Sequence, residues 1–496
     1  MTHDAIVIGS GIGGSVAAAV LAREGWRTVL LEKNNRFGGV CSYYEKRGFR
    51  VDIGTHMFSR GARGPLSRIA RRVGGRPIEF LQTRDLARVV GFGGCIDVPR
   101  DPWRLPAFAA SAIRQLELTP RDVRDGARFL RDVIRFDEAR LPEVDRMTMW
   151  DFVTGYTENP RLVGLFGFLL GLYFILPLDR VSAGEGIWCF KRMAREHGLS
   201  YPRGGAYSVP GCFLDAARAH GAEVLSRKRV TRVEVADGAV RAVVCSDGSS
   251  YEAPAVIVTA SPKDVVDRLV GPAPFPDDYV RRVRGLDGSM IAVQAKVALR
   301  RPLVRAGALV GAHASGLDLR DIGLRDLDEM YQHVVAGRLA PITPVYAPVP
   351  TNFDPSLAPG AAQLVTACAV APTTDIELED TPRRWTENLL QTLRALIPGL
   401  DDELLWVDTF TTQSVENWTG KMNAPAVSTG QTPGQVGNRR PPVHTPVRGL
   451  YIAGCGAGGR GVGTELAAAS GEEAADRVVQ DTVNGLLPRA ATTGRR

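Results

Sequence analysis

Gly9, Gly11 and Gly14 stand at G-x-G-x-x-G spacing directly after the apolar run Ala5-Ile-Val-Ile8, and Glu32 follows eighteen residues after the last of them. These residue types at this spacing predict a site for a dinucleotide. Gly9 permits a tight turn out of a strand, and Gly11, lacking a side chain, lets a pyrophosphate reach the backbone. Gly14 lets the next helix pack closely on that strand. Ile12 and Gly13 complete the turn. The helix that follows, Ala- and Val-rich to about residue 23, would offer its free N–H groups to the phosphates. Residues 28–31 read as a second strand. Glu32 at its end suits two hydrogen bonds to a ribose and would repel a 2′-phosphate, which disfavours NADP.

A second strand–glycine loop–helix unit lies at the far end, where Leu450-Tyr-Ile-Ala leads into Gly454-Cys-Gly-Ala-Gly-Gly-Arg-Gly-Val-Gly463 and an Ala-rich helix to about residue 480. A nicotinamide enzyme has no need of this second unit. FAD is long enough to need both, its adenosine half on the first and its isoalloxazine on the second. The N-terminus of the last helix would face the flavin edge that gains negative charge on reduction, a contribution of roughly 0.3–1 kcal/mol.

The elements that must position these glycines are spread along 496 residues. The reading is α/β: a Rossmann-like FAD-binding domain of the two-dinucleotide-binding type, interleaved with an α+β substrate domain. The FAD-binding domain is expected at 1–76, 201–265 and 431–480, the substrate domain at 77–200 and 266–430, and a flexible tail at 481–496. Within these, 209–219 suits a helix, and 221–225, 230–235, 240–245 and 256–260 suit strands. Residues 289–299 form the clearest strand of the second domain and 382–397 its clearest helix.

Composition is that of an ordinary globular chain, with 44% hydrophobic and 23% charged residues and a net charge of +7. The basic residues are overwhelmingly Arg, with only seven Lys. No basic run is interleaved with aromatics, so nucleic acid is not an expected partner. The cluster from Arg60 to Arg76 reads as a helix surface. Seven Cys without a C-x-x-C pair argue against a disulfide framework and a zinc site; no metal is expected, and a reducing, cytoplasmic setting is. The fingerprint begins at residue 4, so a cleaved signal peptide would destroy it. Residues 162–177 are apolar but too short and Gly-interrupted to span a membrane, and read as a buried helix or channel wall. A peripheral membrane contact nearby is compatible with this reading.

These motifs, together with Arg36-x-Gly38-Gly39, Asp52-x-Gly54 and Tyr201-Pro-x-Gly-Gly205, resemble the FAD-dependent desaturases and isomerases of the phytoene desaturase group, including retinol saturases. More broadly, the chain resembles the flavin amine oxidase superfamily. The resemblance implies FAD contacts from Gly9, Gly11, Ile12, Gly13, Gly14, Glu32 and Lys33, then from Arg36, Gly38, Gly39, Gly54, Thr55 and His56. It implies further contacts from the backbone of Val230 at the adenine side, and from Gly454, Gly463, Thr464, Glu465 and Leu466 at the ribityl and flavin end. His56 would fall near the flavin face. It is the leading catalytic candidate, with Glu465 second, as a flavin-side carboxylate or a helix N-terminal charge.

Two departures bear on the substrate. Flavin amine oxidases often place a Lys near the flavin, where this chain has Gln294, with Lys296 two residues on and facing the same side. The loop Gly459-Arg-Gly-Val-Gly-Thr-Glu465 also lacks the aromatic pair that cages an amine. The expected activity is therefore hydride transfer between flavin N5 and a carbon of an apolar, isoprenoid or polyene substrate, running as desaturation, saturation or isomerisation. Residues 166–174, Trp188 and Phe190 would line the tunnel, and oxygen or a quinone would serve as electron acceptor. Two readings stand beside it: a flavin oxidase of amines or another natural-product intermediate, and a non-catalytic prenyl-lipid-binding protein of the same fold.

Overall fold

The computed structural model describes residues 3–91, 94–196, 199–314 and 324–489. Four apolar residues in a row can be satisfied only by a strand buried on both faces, and Ala5–Ile8 is that strand. It lies at the centre of a five-stranded sheet, in the order Leu450–Ile452, Ala255–Val258, Ala5–Ile8, Thr28–Leu31, Glu223–Leu225. Every pairing is parallel. Strands from four distant parts of the chain meet here, so the two glycine-rich loops emerge from one sheet.

Helices Ile12–Arg23, Ser208–Ala219 and Gly463–Val483 cover one face through a shared core of Val16, Leu21, Phe213, Ala474 and their neighbours. A small antiparallel sheet of Val230–Ala236, Ala239–Cys245 and Ser250–Glu252 packs its apolar side toward the other face.

The first and last of these helices touch backbone to backbone. A Cβ on Gly471 would lie 2.3 Å from the Gly13 carbonyl oxygen, and one on Gly13 would lie 3.1 Å from the Gly454 nitrogen. Small residues thus clamp the two nucleotide-binding units together. The arginines between residues 60 and 76 prove to be more than a solvated surface. Arg68 and Arg72 reach across from helix Pro65–Arg72 to Glu472 and Asp476, and Arg60 pairs with Glu196 at 2.7 Å.

The second domain rests on a seven-stranded sheet, in the order Leu404–Phe410, Ile291–Leu299, Gln363–Ala371, Ile342–Pro348, Ala308–Ala314, Asp85–Gly91, Gly94–Pro99. One of its faces presents Val293, Ala295, Val297, Val365, Ala367 and Ala369 to helix Pro382–Leu396, whose Trp385, Leu389 and Leu393 close that core. The helices between residues 105 and 195 form a third block. The apolar segment of that block is helix Pro160–Phe174, capped at its start by the Asn159 side chain. Among the described residues no helix is long and apolar enough to cross a membrane.

The end of the chain differs from expectation. The last helix continues to Val483, Leu487 is buried, and Arg489 stacks over Trp26 and approaches Asp4 at 3.7 Å. Apolar burial thus extends order into the segment read as a tail; residues 490–496 lie outside the described residues.

Candidate active site

The first glycine loop has the shape its spacing predicts. Gly9 sits at φ +95°, where a Cβ would also strike the Thr259 hydroxyl at 2.3 Å, and a Cβ on Gly14 would lie 1.9 Å from the Gly9 carbonyl oxygen. Gly11 differs from both: a Cβ there would meet nothing within 4 Å. The turn is closed on the protein side and open on the side from which a pyrophosphate would approach. Helix Ile12–Arg23 carries no side-chain cap at its N-terminus, so its first N–H groups are left for a ligand. Gly38 and Gly39, both at positive φ, bring a second turn onto this one; a Cβ on Gly39 would lie 3.2 Å from Gly11 Cα.

Glu32 is buried at the end of its strand. Its carboxylate accepts hydrogen bonds from Ser10 N at 3.0 Å, Ser10 Oγ at 2.6 Å and Asn34 N at 2.9 Å. Ser10 Oγ in turn accepts from Gly38 N at 3.0 Å, so one hydroxyl ties the acid to the second turn. With about four acceptor positions on an ionised carboxylate, one is left for a ribose hydroxyl. These features fit FAD.

Lys33 and Arg36 are less available. Lys33 Nζ donates to the carbonyls of Asn417 and Trp418, and Arg36 to the Tyr43 carbonyl. Trp418 Nε1 donates to the Gly39 carbonyl at 2.9 Å, so helix Thr412–Thr419 clamps the phosphate-side turn from the other domain. Val230 opens its strand at the edge of the small sheet.

At the other end, Gly454 sits at φ +107°, its N–H donating to Ser470 Oγ at 2.8 Å. Gly463, Thr464, Glu465 and Leu466 form the first turn of the last helix. The Glu465 carboxylate accepts from Ser59 N at 2.8 Å, Ser59 Oγ at 3.1 Å, Arg60 N at 3.2 Å and Thr464 Oγ1 at 2.7 Å. That geometry makes it a brace between the flavin-side helix and the loop that carries His56. Gly54 and Thr55 hold the start of this loop by donating to the Val40 carbonyl at 3.0 and 3.1 Å.

Two motifs distant in sequence join just behind His56. Asp52 accepts from the Tyr201 hydroxyl and from Ala206 N at 3.1 Å, so Asp52-x-Gly54 and Tyr201-Pro-x-Gly-Gly205 form one buried unit. Burial pushes the Asp52 carboxyl above the usual range.

His56 lies against the seven-stranded sheet, and the register there explains its neighbours. Gln294 pairs with Cys368 and Lys296 with Thr366 across adjacent strands, with alternation placing all four on one face. Lys296 Nζ is 3.4 Å from His56 Nε2, and Cys368 Sγ is 3.6 Å from Nδ1. Burial, reinforced by the Lys296 charge, holds His56 well below its ordinary pKa, so the ring is neutral at pH 7. Lys296 is fully buried, which pushes its own pKa down; burial pushes the Cys368 thiol up to about 12. Gln294 Oε1 and Thr366 Oγ1 are buried without a partner among the described residues, as expected where a water or substrate belongs.

The sequence reading put Gln294 where a lysine would matter. The sheet puts Lys296 beside His56, so a lysine is present after all. A buried ammonium without a carboxylate contact among the described residues is costly. Lys296→Met is expected to raise stability by roughly 1–4 kcal/mol in denaturant unfolding of the flavoprotein, while lowering activity.

The aromatic residues expected to line a tunnel are found packed together, except those between 168 and 172 whose side chains lie outside the described residues. Phe166, Tyr173, Phe174, Trp188 and Phe190 belong to one apolar cluster that reaches Val462 beside the flavin-side helix. The cluster is locked to that loop by residues no motif announced. Arg460 pairs with Asp145 at 2.7 Å and Glu185 at 3.2 Å, Arg440 lies 3.5 Å from Glu185, and Gly461 N donates to Glu185 at 2.5 Å. Burial raises the Glu185 pKa, opposed by the two guanidiniums.

Comparison with known proteins agrees with this geometry. Residues 12–479 match the family described as flavin containing amine oxidoreductase. A phytoene dehydrogenase from Streptomyces griseus is 28% identical, over 99% of this chain and 97% of that protein. An oxidoreductase from Methanosarcina mazei has the same fold, with a TM-score of 0.70 at 18% identity, over 95% of this chain and 100% of that one. Cyclohexylamine oxidase from Brevibacterium oxydans superposes with a TM-score of 0.63 at 18% identity, over 97% and 100%.

Proposed function

The chain belongs to the flavin containing amine oxidoreductase family, and from that membership we propose that it is an FAD-dependent oxidoreductase of an apolar isoprenoid or polyene. FAD, when bound, supplies a hydride acceptor or donor at flavin N5. Introducing a double bond also removes a proton from the neighbouring carbon, and saturating one returns it. His56 is the group that holds this proton. Its ring is neutral, so one nitrogen carries a lone pair able to take the proton, and Lys296 and Cys368 beside the two ring nitrogens fix its orientation. Tyr173 OH donates to Ser59 Oγ at 3.0 Å, closing the His56 loop against the aromatic wall.

The observation that carries the reading is that wall. Phe166, Phe174, Leu176, Leu178 and Trp188 pack in one apolar cluster with Val427 and Val462, surroundings that favour a hydrocarbon over a charged amine. The full-length relationship to a protein named phytoene dehydrogenase supports it. Lys296 favours a second reading, oxidation of an amine, because a lysine beside the reacting face is what the likeness to flavin amine oxidases implies.

Incubation with isoprenoids of graded unsaturation on one side and primary amines on the other separates the two. The expected result is a product differing from an isoprenoid by two hydrogens or by double-bond geometry. Hydrogen peroxide release with amines alone, and no isoprenoid product, would overturn the reading.

A further inference from the structure

Five of the eleven exposed large hydrophobic side chains among the described residues fall between residues 103 and 134, on two consecutive helices, Leu105–Gln115 and Pro120–Arg135, and the turn before the first. Trp103 is 75% exposed, and Leu105, Leu130 and Ile134 are each close to half exposed. Isolated exposed apolar residues need no explanation; a concentration of them does.

The second of these helices has an ordered surface. Gly126, Phe129 and Val133 are buried against the helical block. Val123, Ala127, Leu130 and Ile134, at i, i+4, i+7 and i+11, form a second apolar stripe that is exposed. Its five arginines, Arg121, Arg124, Arg128, Arg131 and Arg135, fall within one arc of roughly 80° at about 100° per residue, next to that stripe. Asp125 and Asp132 lie between the arginines and the buried face, and Asp122 caps the start of the helix with Thr119. Arg124 and Arg135 make no ion pair among the described residues, Arg121 and Arg128 only approach Asp125, at 3.8 and 4.0 Å, and Arg131 pairs with Asp132 at 2.9 Å. A helix with a buried stripe, an exposed apolar stripe and a basic flank matches an anionic lipid surface: the apolar stripe enters the headgroup boundary and the arginines meet the phosphates. Trp103, exposed in the turn before the preceding helix, is of the residue type that anchors at such a boundary.

We propose that the exposed face of helix Pro120–Arg135 docks the enzyme on the surface of an anionic phospholipid bilayer. The buried side of the same helix leads inward. Phe129 packs against Phe166, ring centroids 4.6 Å apart and planes tilted by 46°, and their cluster continues to Val462 at the start of the last helix. The docking does not rest on the substrate reading above.

Flotation of the purified flavoprotein with vesicles tests it without turnover, so its failure leaves the substrate reading standing. The vesicles are phosphatidylcholine alone, or equal parts phosphatidylcholine and phosphatidylglycerol, at low and high salt. The expected result is flotation with the anionic vesicles, weakened by salt. The double variant Leu130→Gln/Ile134→Gln should lose binding by about tenfold or more, with its flavin spectrum and melting temperature unchanged. Arg124→Gln/Arg135→Gln should weaken binding to the anionic vesicles in particular. Absence of flotation, or flotation indifferent to both double variants, would overturn the proposal. So would a parent dimer that Leu130→Gln/Ile134→Gln converts to monomer, which would assign the face to a second copy of the chain.

Discussion

The His56→Ala variant is expected to bind FAD in full and to lose turnover by roughly 10²–10⁴-fold, the range for removal of a positioned acid–base group. The separation of the two effects follows from the geometry. The cradle proposed for the cofactor is backbone at Gly9, Gly11, Gly38 and Gly454 together with Glu32, none of which hydrogen-bonds His56 among the described residues. The imidazole is instead held by Lys296 and Cys368 of the other domain.

The pH dependence has a definite sign. Burial and the Lys296 ammonium both lower the pKa of His56, so its neutral form persists below the ordinary histidine value of about 6.5. Turnover by the parent enzyme should hold as pH falls through 6.5, with its acid limb lying lower. Lys296→Met removes one of the two lowering causes and should shift that limb upward. An unshifted limb in Lys296→Met, or undiminished turnover in His56→Ala, would remove His56 from the proton path. Stability has the same direction for this group: an unfolded chain protonates the histidine near pH 6.5 while the folded one does not, so its contribution to stability falls as pH drops below that value.

Gly14→Val should abolish flavin binding altogether, giving colourless protein that is strongly destabilised. A Cβ at this position would lie 1.9 Å from the Gly9 carbonyl oxygen and 3.2 Å from Thr259 Cγ2, so either the turn or the central strand must move. Neither can relax cheaply, because Gly9 N donates to the Leu31 carbonyl at 2.8 Å and the strand is buried on both sides. Gly11→Ala is the control. Its Cβ meets open space in the protein, so the fold should survive and only the approach of the pyrophosphate should suffer. Flavin content by absorbance, set beside far-ultraviolet circular dichroism, distinguishes the two variants. Full flavin occupancy in Gly14→Val would contradict the cradle as described.

The glycine positions were legible in the sequence because their reason is local. A tight turn, a helix start and a strand end each leave their mark within a few residues of Gly9, Gly14 and Glu32. The two halves of the cofactor site were legible for the same reason, each being one strand, one loop and one helix. What surrounds His56 was not, because it depends on sheet register. Lys296 meets His56 only because its strand pairs Gln294 with Cys368 and Lys296 with Thr366, a relation between strands some seventy residues apart in sequence. Arg440, Glu185, Arg460 and Asp145 were invisible for a related reason: charged residues scattered through two domains look like solvated surface until folding buries them together. The arginines of residues 68–72 misled in the same way. Their partners Glu472 and Asp476 lie about four hundred residues away, and no periodicity links them.

The central claim, an FAD enzyme exchanging hydride with an apolar isoprenoid, meets its most direct test in anaerobic titration of the purified yellow protein. The visible flavin band is followed as isoprenoids and then amines are added to the oxidised form, and as polyenes are added to the dithionite-reduced form. The expected result is bleaching of the oxidised flavin by an isoprenoid or return of the band when a polyene meets the reduced flavin. Bleaching by amines with neither isoprenoid response would contradict it.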